Sequence, residues 1–156
     1  MKKHILIIST LFISTLLGQG ILDVTDYGAV SNDGNDDING INAAIDASAA
    51  GDTIYFPSGT FHISDAIRLK SYTVMVGEGQ DNSTILFIGT NLAPLVDIQE
   101  KTHIEIANLC LDANDNSNAS NGIEALQGSN HFLHNLWIKN FTFNYPDWGG
   151  PQGIVF

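Results

Sequence analysis

Basic side chains and cysteine are the scarce residue types in this 156-residue chain. Six lysine and arginine residues stand against seventeen aspartate and glutamate residues, and the formal net charge is −11. A chain this acidic repels phosphate backbones and anionic membrane surfaces, so no nucleic-acid partner is expected. Cys110 is the single cysteine, which excludes an internal disulfide bond. It lies in the apolar run I-A-N-L-C-L and is expected to be a small buried hydrophobic side chain.

The first twenty residues have the pattern of a secretory signal peptide. A basic start, Lys2-Lys3-His4, precedes an apolar run of about 13 residues, and Gly18 and Gly20 suit a cleavage site before Ile21. A membrane anchor is the alternative, but the run is short for a bilayer span of about 20 residues. We therefore predict secretion to the extracellular space or periplasm, with no membrane attachment after cleavage. Loss of Lys2 and Lys3 would leave four basic and seventeen acidic side chains, a net charge of about −13.

An amphipathic helix is predicted over residues 38–49, after a short strand and an Asp-rich loop. Its apolar face consists of residues spaced by three and four: Ile38, Ile41, Ala44, Ile45 and Ser48. Asp36 or Asp37 is placed to cap its start, and Gly51 is placed to end it.

From Asp52 onward, short apolar runs of about four to six residues are separated by Gly, Asn, Asp or Ser, and no second helical period follows. Several runs alternate apolar and polar residues, as strands with one buried face do. The stretch from His103 to Asp112 returns in looser form from His131 to Thr142, a repeat of about 28 residues. The repeat predicts a solenoid. An antiparallel sandwich is the rival fold, but it does not predict an amphipathic helix followed by a one-way repeat.

Four blocks in this order resemble the opening of the rhamnogalacturonase/epimerase-like part of the pectate lyase superfamily. They are D-V-T-D-Y-G-A-V-S-N-D-G-N-D-D from Asp23, I-N-A-A-I-D-A from Ile41, D-T-I-Y-F-P-S-G-T-F-H-I from Asp52 and V-M-V-G-E-G-Q-D-N-S-T-I-L from Val74. The resemblance implies an all-β fold, a right-handed parallel β-helix whose N-terminal end is plugged by a capping α-helix. It also implies that the acidic loop of residues 33–37 is a turn and helix cap, and that Gly77-Glu78-Gly79 is an architectural turn.

On this interpretation the chain has three parts. Residues 1–20 are the signal peptide, residues 21–51 are the N-terminal strand and capping helix, and residues 52–156 are the first coils of the β-helix. At about 20 to 28 residues per turn, the last part would make four or five coils. We expect an incomplete C-terminal end, since proteins of this family usually contain more coils.

The polar segment from Asp112 to Gly122 follows a strand, and in the family a loop at that corner commonly forms one wall of a glycan groove. Asp112, Asn114 and Asp115 are therefore candidate substrate contacts. Asp112, Asn114 and Asn116 also have the one-three-five spacing of a calcium loop. Ser117 and Ile123 stand where the glycine and the bidentate glutamate should be, so the match to a calcium site is partial. Calcium is the one cofactor that the sequence indicates.

Aromatic and histidine residues collect toward the C-terminus: His131, His134, Trp137, Phe141, Tyr145 and Trp148. Trp137 lies in an apolar run and is expected in the core. Tyr145, Asp147 and Trp148 lie in a Pro/Gly-bounded loop and are candidate substrate contacts, because aromatic rings stack on sugar rings.

The family's catalytic motifs cannot be carried over to this chain. Polygalacturonase-type members carry N-T-D, D-D, G-H-G and R-I-K, of which only Asp36-Asp37 is present, in the capping loop. The C5-epimerases of the family use a Tyr, Asp and His cluster beyond this stretch, so the catalytic residues are unknown.

The resemblance therefore implies the N-terminal part of a secreted polysaccharide-active β-helix protein, of the pectate lyase, polygalacturonase/rhamnogalacturonase or C5-epimerase type. Its partner would be a uronate-containing polysaccharide, and this segment would be inactive alone. The alternative is a non-catalytic glycan-binding surface or adhesin module.

Overall fold

The computed structural model describes residues 19–142 and 152–156, and these form a parallel β-helix behind one short α-helix. A 3₁₀ helix, Val24–Tyr27, follows the first strand, and the α-helix α1 spans Ile38–Ala47. The strands are β1 (Ile21–Asp23), β2 (Thr53–Phe56), β3 (Gly59–Ile63), β4 (Ile67–Arg68), β5 (Val74–Gly77), β6 (Ser83–Phe87), β7 (Val96–Asp97), β8 (Glu105–Asp112), β9 (Asn121–Glu124), β10 (Phe132–Lys139) and β11 (Gln152–Val155).

Strand register shows how the chain winds. Thr53 pairs with Val74, Val74 with Glu105, and Glu105 with Phe132, all in parallel. Successive turns therefore take 21, 31 and 27 residues. This makes about three complete turns, and β10 and β11 lie on a fourth. The 27-residue offset between β8 and β10 agrees with the repeat of about 28 residues seen in the sequence.

The strands line up in three walls. The first wall contains β1, β2, β5 and the N-terminal halves of β8 and β10. The second wall contains β3, β6 and the C-terminal halves of β8 and β10, and the third contains β4, β7, β9 and β11. Asn108 and Asn135 mark the bend between the first two walls, each with a positive φ, and the Asn135 amide donates to Asn108 Oδ1 at 3.0 Å.

The core fills the space between the walls, because each strand turns alternate side chains inward. Ile54, Met75 and Ile106 are in register on the first wall and fully buried. Phe56 and Phe61, on either side of the first bend, meet edge to face with ring centroids 5.5 Å apart. The remaining side chains of each strand therefore lie on the outer surface.

Helix α1 lies at the N-terminal end of this core, with Ile41, Ala44 and Ile45 buried. It ends at Ala47 rather than at Ala49, because Ser48 adopts an extended conformation and its hydroxyl donates to the Ile45 carbonyl. Gly51, with φ of 94°, sits in the turn beyond.

The acidic loop ties the helix to the first coil, as its expected role as turn and cap requires. Asp37 occupies the N-cap position, but its carboxylate accepts hydrogen bonds from the amides of Val30 (2.7 Å) and His62 (2.9 Å) instead of capping α1. Asp36 Oδ1 accepts from the Ile38 amide at 3.2 Å and also from the Ser64 amide.

Nearly all of the predicted signal peptide falls in residues 1–18, outside the described residues, and it stays a prediction. Within residues 19–142 and 152–156, no helix has the length and apolar character needed to cross a bilayer.

Candidate functional site: the outer faces of the first and second walls

The outer face of the second wall carries two rows of side chains that run along the solenoid axis. Strand register aligns Thr60, Thr84, Cys110 and Trp137 in one row and His62, Leu86, Asp112 and Lys139 in the next. We call the part of these rows on β8 and β10, with Cys110, Asp112, Trp137 and Lys139, the Trp137 strip.

Trp137 does not lie in the core, contrary to the expectation from sequence. Its neighbours Leu136 and Ile138 turn inward, so strand alternation turns the indole outward, where 48% of the residue is exposed. The ammonium of Lys139 lies 4.6 Å from the centroid of the ring. The strip therefore presents an aromatic surface beside a cation.

Asp112 holds Lys139 in this position. Asp112 is buried, and its Oδ2 lies 3.4 Å from Lys139 Nζ. Its Oδ1 accepts hydrogen bonds from the Asn114 amide (2.8 Å) and the Asn140 side chain (2.9 Å). Because both oxygens have partners inside the protein, Asp112 fixes the lysine beside the indole.

Cys110 is buried as predicted, but it lies in the outward row between Thr84 and Trp137 rather than in the core. Burial raises the pKa of the Cys110 thiol, and the nearby Lys139 acts in the opposite direction. The raised pKa keeps the thiol protonated at neutral pH and argues against a reactive nucleophile.

The polar loop after β8 places Asn114 and Asp115 on the surface, both with a positive φ. The Asn116 side chain makes hydrogen bonds within the protein. Its Nδ2 donates to the Gly89 carbonyl at 2.9 Å, and its Oδ1 accepts from the backbone N–H of Asn118. No group of three His, Cys, Asp or Glu side chains suited to a metal ion occurs among the described residues. Calcium binding by Asp112, Asn114 and Asn116 stays a prediction, with the amide of Asn116 and the carboxylate of Asp112 already engaged in internal hydrogen bonds.

The outer face of the first wall carries a groove that the sequence did not reveal. It has a volume of about 290 Å³ and lies where the chain enters β2, β5, β8 and β10. Its lining residues are Gln19, Gly51, Tyr72, Val74, His103, Ile104, Glu105, Asn130 and Phe132. We call it the Tyr72 groove.

Two aromatic pairs flank this groove. The rings of Tyr72 and His103 stack with centroids 4.7 Å apart and planes 10° from parallel. The rings of Phe132 and His134 lie 4.4 Å apart, and His134 Nε2 is hydrogen-bonded to Glu105 Oε1 at 3.0 Å. His134 belongs to the aromatic and histidine cluster noted in the sequence, whereas Tyr72, His103, Glu105 and Phe132 were not expected at a site. Their common signal is the spacing of 21 to 31 residues between successive turns.

Three candidate substrate contacts, Tyr145, Asp147 and Trp148, lie outside the described residues and stay predictions.

Comparison with known proteins supports the architecture. The family model described as rhamnogalacturonase A/epimerase, pectate lyase-like, matches residues 21–93. The preneck appendage protein of Bacillus phage phi29 is 30% identical over 131 residues, which cover 76% of this chain and 15% of that protein. Alginate lyase 7 of Azotobacter vinelandii is 35% identical over 107 residues, which cover 59% of this chain and 12% of the lyase. The chain thus spans a small part of the length of these relatives.

Among solved structures, the A-module of the Azotobacter vinelandii mannuronan C-5 epimerase AlgE4 superposes with a TM-score of 0.64 at 22% identity, covering 85% of this chain and 41% of that module. At this identity the likeness concerns the fold alone, and it agrees with the parallel strand register described above. From the sequence blocks and the family match together, residues 21–93 belong to the rhamnogalacturonase A/epimerase, pectate lyase-like superfamily, and the described residues have a parallel β-helix fold.

Proposed function

We propose that this protein is an exported polysaccharide-binding β-helix, and that the Trp137 strip holds a uronate-containing glycan. The observation that carries the proposal is the indole of Trp137, exposed on a strand whose neighbouring apolar side chains turn inward. An exposed indole supplies the flat apolar surface on which a pyranose ring stacks. The predicted signal peptide supports the exported location.

Lys139 gives the strip its preference for acidic sugars. Its side chain is 31% exposed, and its ammonium lies between the indole and the Asp112 carboxylate. A uronate ring stacked on Trp137 would bring the sugar carboxylate within reach of the Lys139 ammonium. This local positive charge compensates for the repulsion of acidic sugars by the rest of the acidic chain. Two relatives are named for acting on alginate or mannuronan, which agrees with an acidic glycan as the partner.

Binding rather than catalysis is the activity that the strip supports. Glycoside hydrolysis usually needs two carboxylates about 5 to 10 Å apart across the scissile bond. The strip has one carboxylate, Asp112, and its oxygens are already engaged by Lys139 and two amide donors. The phage appendage relative favours a second candidate function, a non-catalytic surface module. Incubation with alginate and polygalacturonate tests the absence of catalysis that both candidates share, since release of unsaturated uronates or reducing ends would indicate an enzyme.

Tryptophan fluorescence tests the binding site directly, because the chain has two tryptophans, Trp137 and Trp148. In a Trp148→Phe background, titration with a mannuronate oligosaccharide is expected to change the emission of Trp137. By calorimetry, Trp137→Ala is expected to weaken binding about tenfold or more, and Lys139→Met to remove the preference for mannuronate over neutral mannose oligosaccharides.

The matched control is Tyr27→Ala, which removes an exposed aromatic ring on the 3₁₀ helix, away from the strip. This variant should bind as the parent does. Unchanged emission in the millimolar range, or unchanged affinity in Trp137→Ala, would contradict the proposal.

A further inference from the structure

The Tyr72 groove is a feature that the proposed glycan strip does not use. Its lining residues come from four successive turns of the solenoid: Gly51 before β2, Tyr72 before β5, His103 before β8 and Asn130 before β10. Adjacent strands lie about 4.8 Å apart, so the groove runs along the axis for about 14 Å. That length accommodates two to three pyranose units.

Two aromatic side chains of the groove are largely exposed to solvent. Tyr72 is 50% exposed and Phe132 is 60% exposed, although Tyr72 stacks on His103 and Phe132 makes a tilted contact with His134. Val74 adds an apolar floor between them. Exposed, pre-ordered rings around an apolar floor suit a ligand with flat apolar faces and a polar perimeter, which describes a sugar ring.

The backbone at the residues that precede these strands has a positive φ, which tyrosine adopts less readily than glycine or asparagine. Gly51, Tyr72, His103 and Asn130 each lie two residues ahead of a strand, and their φ angles are 94°, 63°, 55° and 58°. Glycine and asparagine adopt a positive φ readily, but a tyrosine there costs about 1 kcal/mol or more. The two levels that depart from glycine and asparagine are the two that carry the stacked rings. The Tyr72 ring therefore lies at a position where glycine or asparagine would suit the backbone better, which favours a role for this ring outside the fold.

The charge of the groove decides which sugar fits. Glu105 is the charged side chain among the lining residues that the structure describes, and no lysine or arginine is among them. The Glu105 carboxylate is held by His134, and the Glu105 side chain is 41% exposed, so the carboxylate can accept hydrogen bonds from sugar hydroxyls. A uronate would place a second carboxylate beside it without a cation. We infer that the Tyr72 groove binds neutral pyranoses, as a second glycan subsite distinct in charge preference from the Trp137 strip.

A pair of ligands that differ only at C6 tests this inference. Mannotriose and trimannuronate have the same ring and linkage, and saturation-transfer NMR on the full chain reports which one contacts the protein. In the Trp137→Ala background, which removes the strip, mannotriose is expected to receive saturation and trimannuronate is not. Glu105→Gln keeps the hydrogen-bond acceptor but removes the charge, and it is expected to raise trimannuronate binding about tenfold.

Tyr72→Asn separates a ligand contact from a structural role. Asparagine relaxes the positive φ, so the melting temperature should stay the same or rise while saturation of mannotriose is lost. Phe132→Ala should also lose it, and the control Tyr27→Ala should keep it.

Three results would overturn the inference: no saturation of mannotriose, cellotriose or galactotriose at millimolar concentration, stronger saturation of trimannuronate than of mannotriose, or full binding in Tyr72→Asn with a lowered melting temperature. Failure of the strip proposal would be seen separately, in the emission of Trp137.

Discussion

Asp37 is the residue through which the acidic loop holds the first coil. Its carboxylate accepts the amide hydrogens of Val30 and His62, and its own amide donates to the His62 carbonyl at 2.8 Å. Burial raises the pKa of Asp37, and the two amide donors counteract part of that rise. The side chain therefore acts as a connector between segments that are 25 residues apart in sequence.

Replacing Asp37 by Asn tests this role. Asn can accept one of the two amide hydrogens, but its own NH₂ group then faces the other donor, so we expect a loss of about 1–3 kcal/mol in the free energy of unfolding. Asp36→Asn is the matched control, because the bonds of Asp36 to Ser64 lie at the surface. Urea denaturation of both variants measures the difference. Equal losses would show that the buried position of Asp37 is unimportant.

His131 makes stability depend on pH. Both ring nitrogens are buried and make no hydrogen bond to the described residues. Burial lowers the pKa of His131 below 6.5, and the neighbouring His103 adds to the effect. As pH falls, the unfolded chain takes up the proton first. The stability that neutral His131 contributes is thus full above pH 6.5 and is lost as pH falls from 6.5 to the lower folded pKa.

We expect urea midpoints of the parent chain to fall between about pH 7 and pH 5.5, and those of His131→Phe to fall less. The comparison within each protein cancels any change in packing caused by the larger ring. A variant whose midpoint falls as steeply as that of the parent would place the pH dependence on other groups.

At the scale of elements, α1 depends on the coil beneath it for its C-terminal cap. Lys70, just after β4, donates from its ammonium to the carbonyls of Asp46 (2.9 Å) and Ser48 (3.1 Å). A cation at this end of a helix satisfies carbonyls that have no partner within the helix and complements the helix dipole.

Lys70→Met keeps most of the side chain and removes the charge and donor. We expect it to lower the free energy of unfolding by about 0.5–1 kcal/mol, with the loss decreasing at high salt. Lys101→Met is the control for removing one positive charge from an acidic chain. The interpretation fails if both variants lose the same amount.

At the scale of the whole molecule, burial decreases along the solenoid axis. Leu109 on β8 is fully buried, whereas Leu136, its register partner on β10, is only partly buried. The same holds for Ile106 and Leu133. In a solenoid each coil is stabilised mainly by its neighbours, so local stability should follow this gradient.

The register pair Leu109 and Leu136 gives a matched test of the gradient. Leu109→Ala is expected to cost about 3–5 kcal/mol, as for a fully buried leucine, and Leu136→Ala less than half of that. Thermal or urea unfolding measures both, and hydrogen exchange should show better protection of β8 amides than of β10 amides. Equal costs would mean that β10 is as well packed as β8.

Much of this architecture was accessible from the residue pattern. Spacings of three and four located α1 to within two residues, and the alternating runs located the strands. The repeat between residues 103–112 and 131–142 anticipated the 27-residue register of β8 and β10. These features are local or periodic, so a single sequence contains them.

Which side chains lie on the surface was harder to predict from the sequence. L-W-I looks like a core segment because all three side chains are apolar, but the positive φ of Asn135 sets the phase of the strand after it and turns Trp137 outward. Cys110 and Lys139 lie on successive turns of the solenoid, so the residues next to each of them in sequence do not predict that the two side chains are close.

The helix, the strand runs, the repeat and the family resemblance can be predicted from the sequence, because each depends on side-chain patterns that are local or periodic. Which outward side chains meet depends on the winding of the coils, so it is visible only in the tertiary structure. Tyr72 and His103 stack, and His134 binds Glu105, only because coils of 31 and 27 residues place distant positions one strand spacing apart.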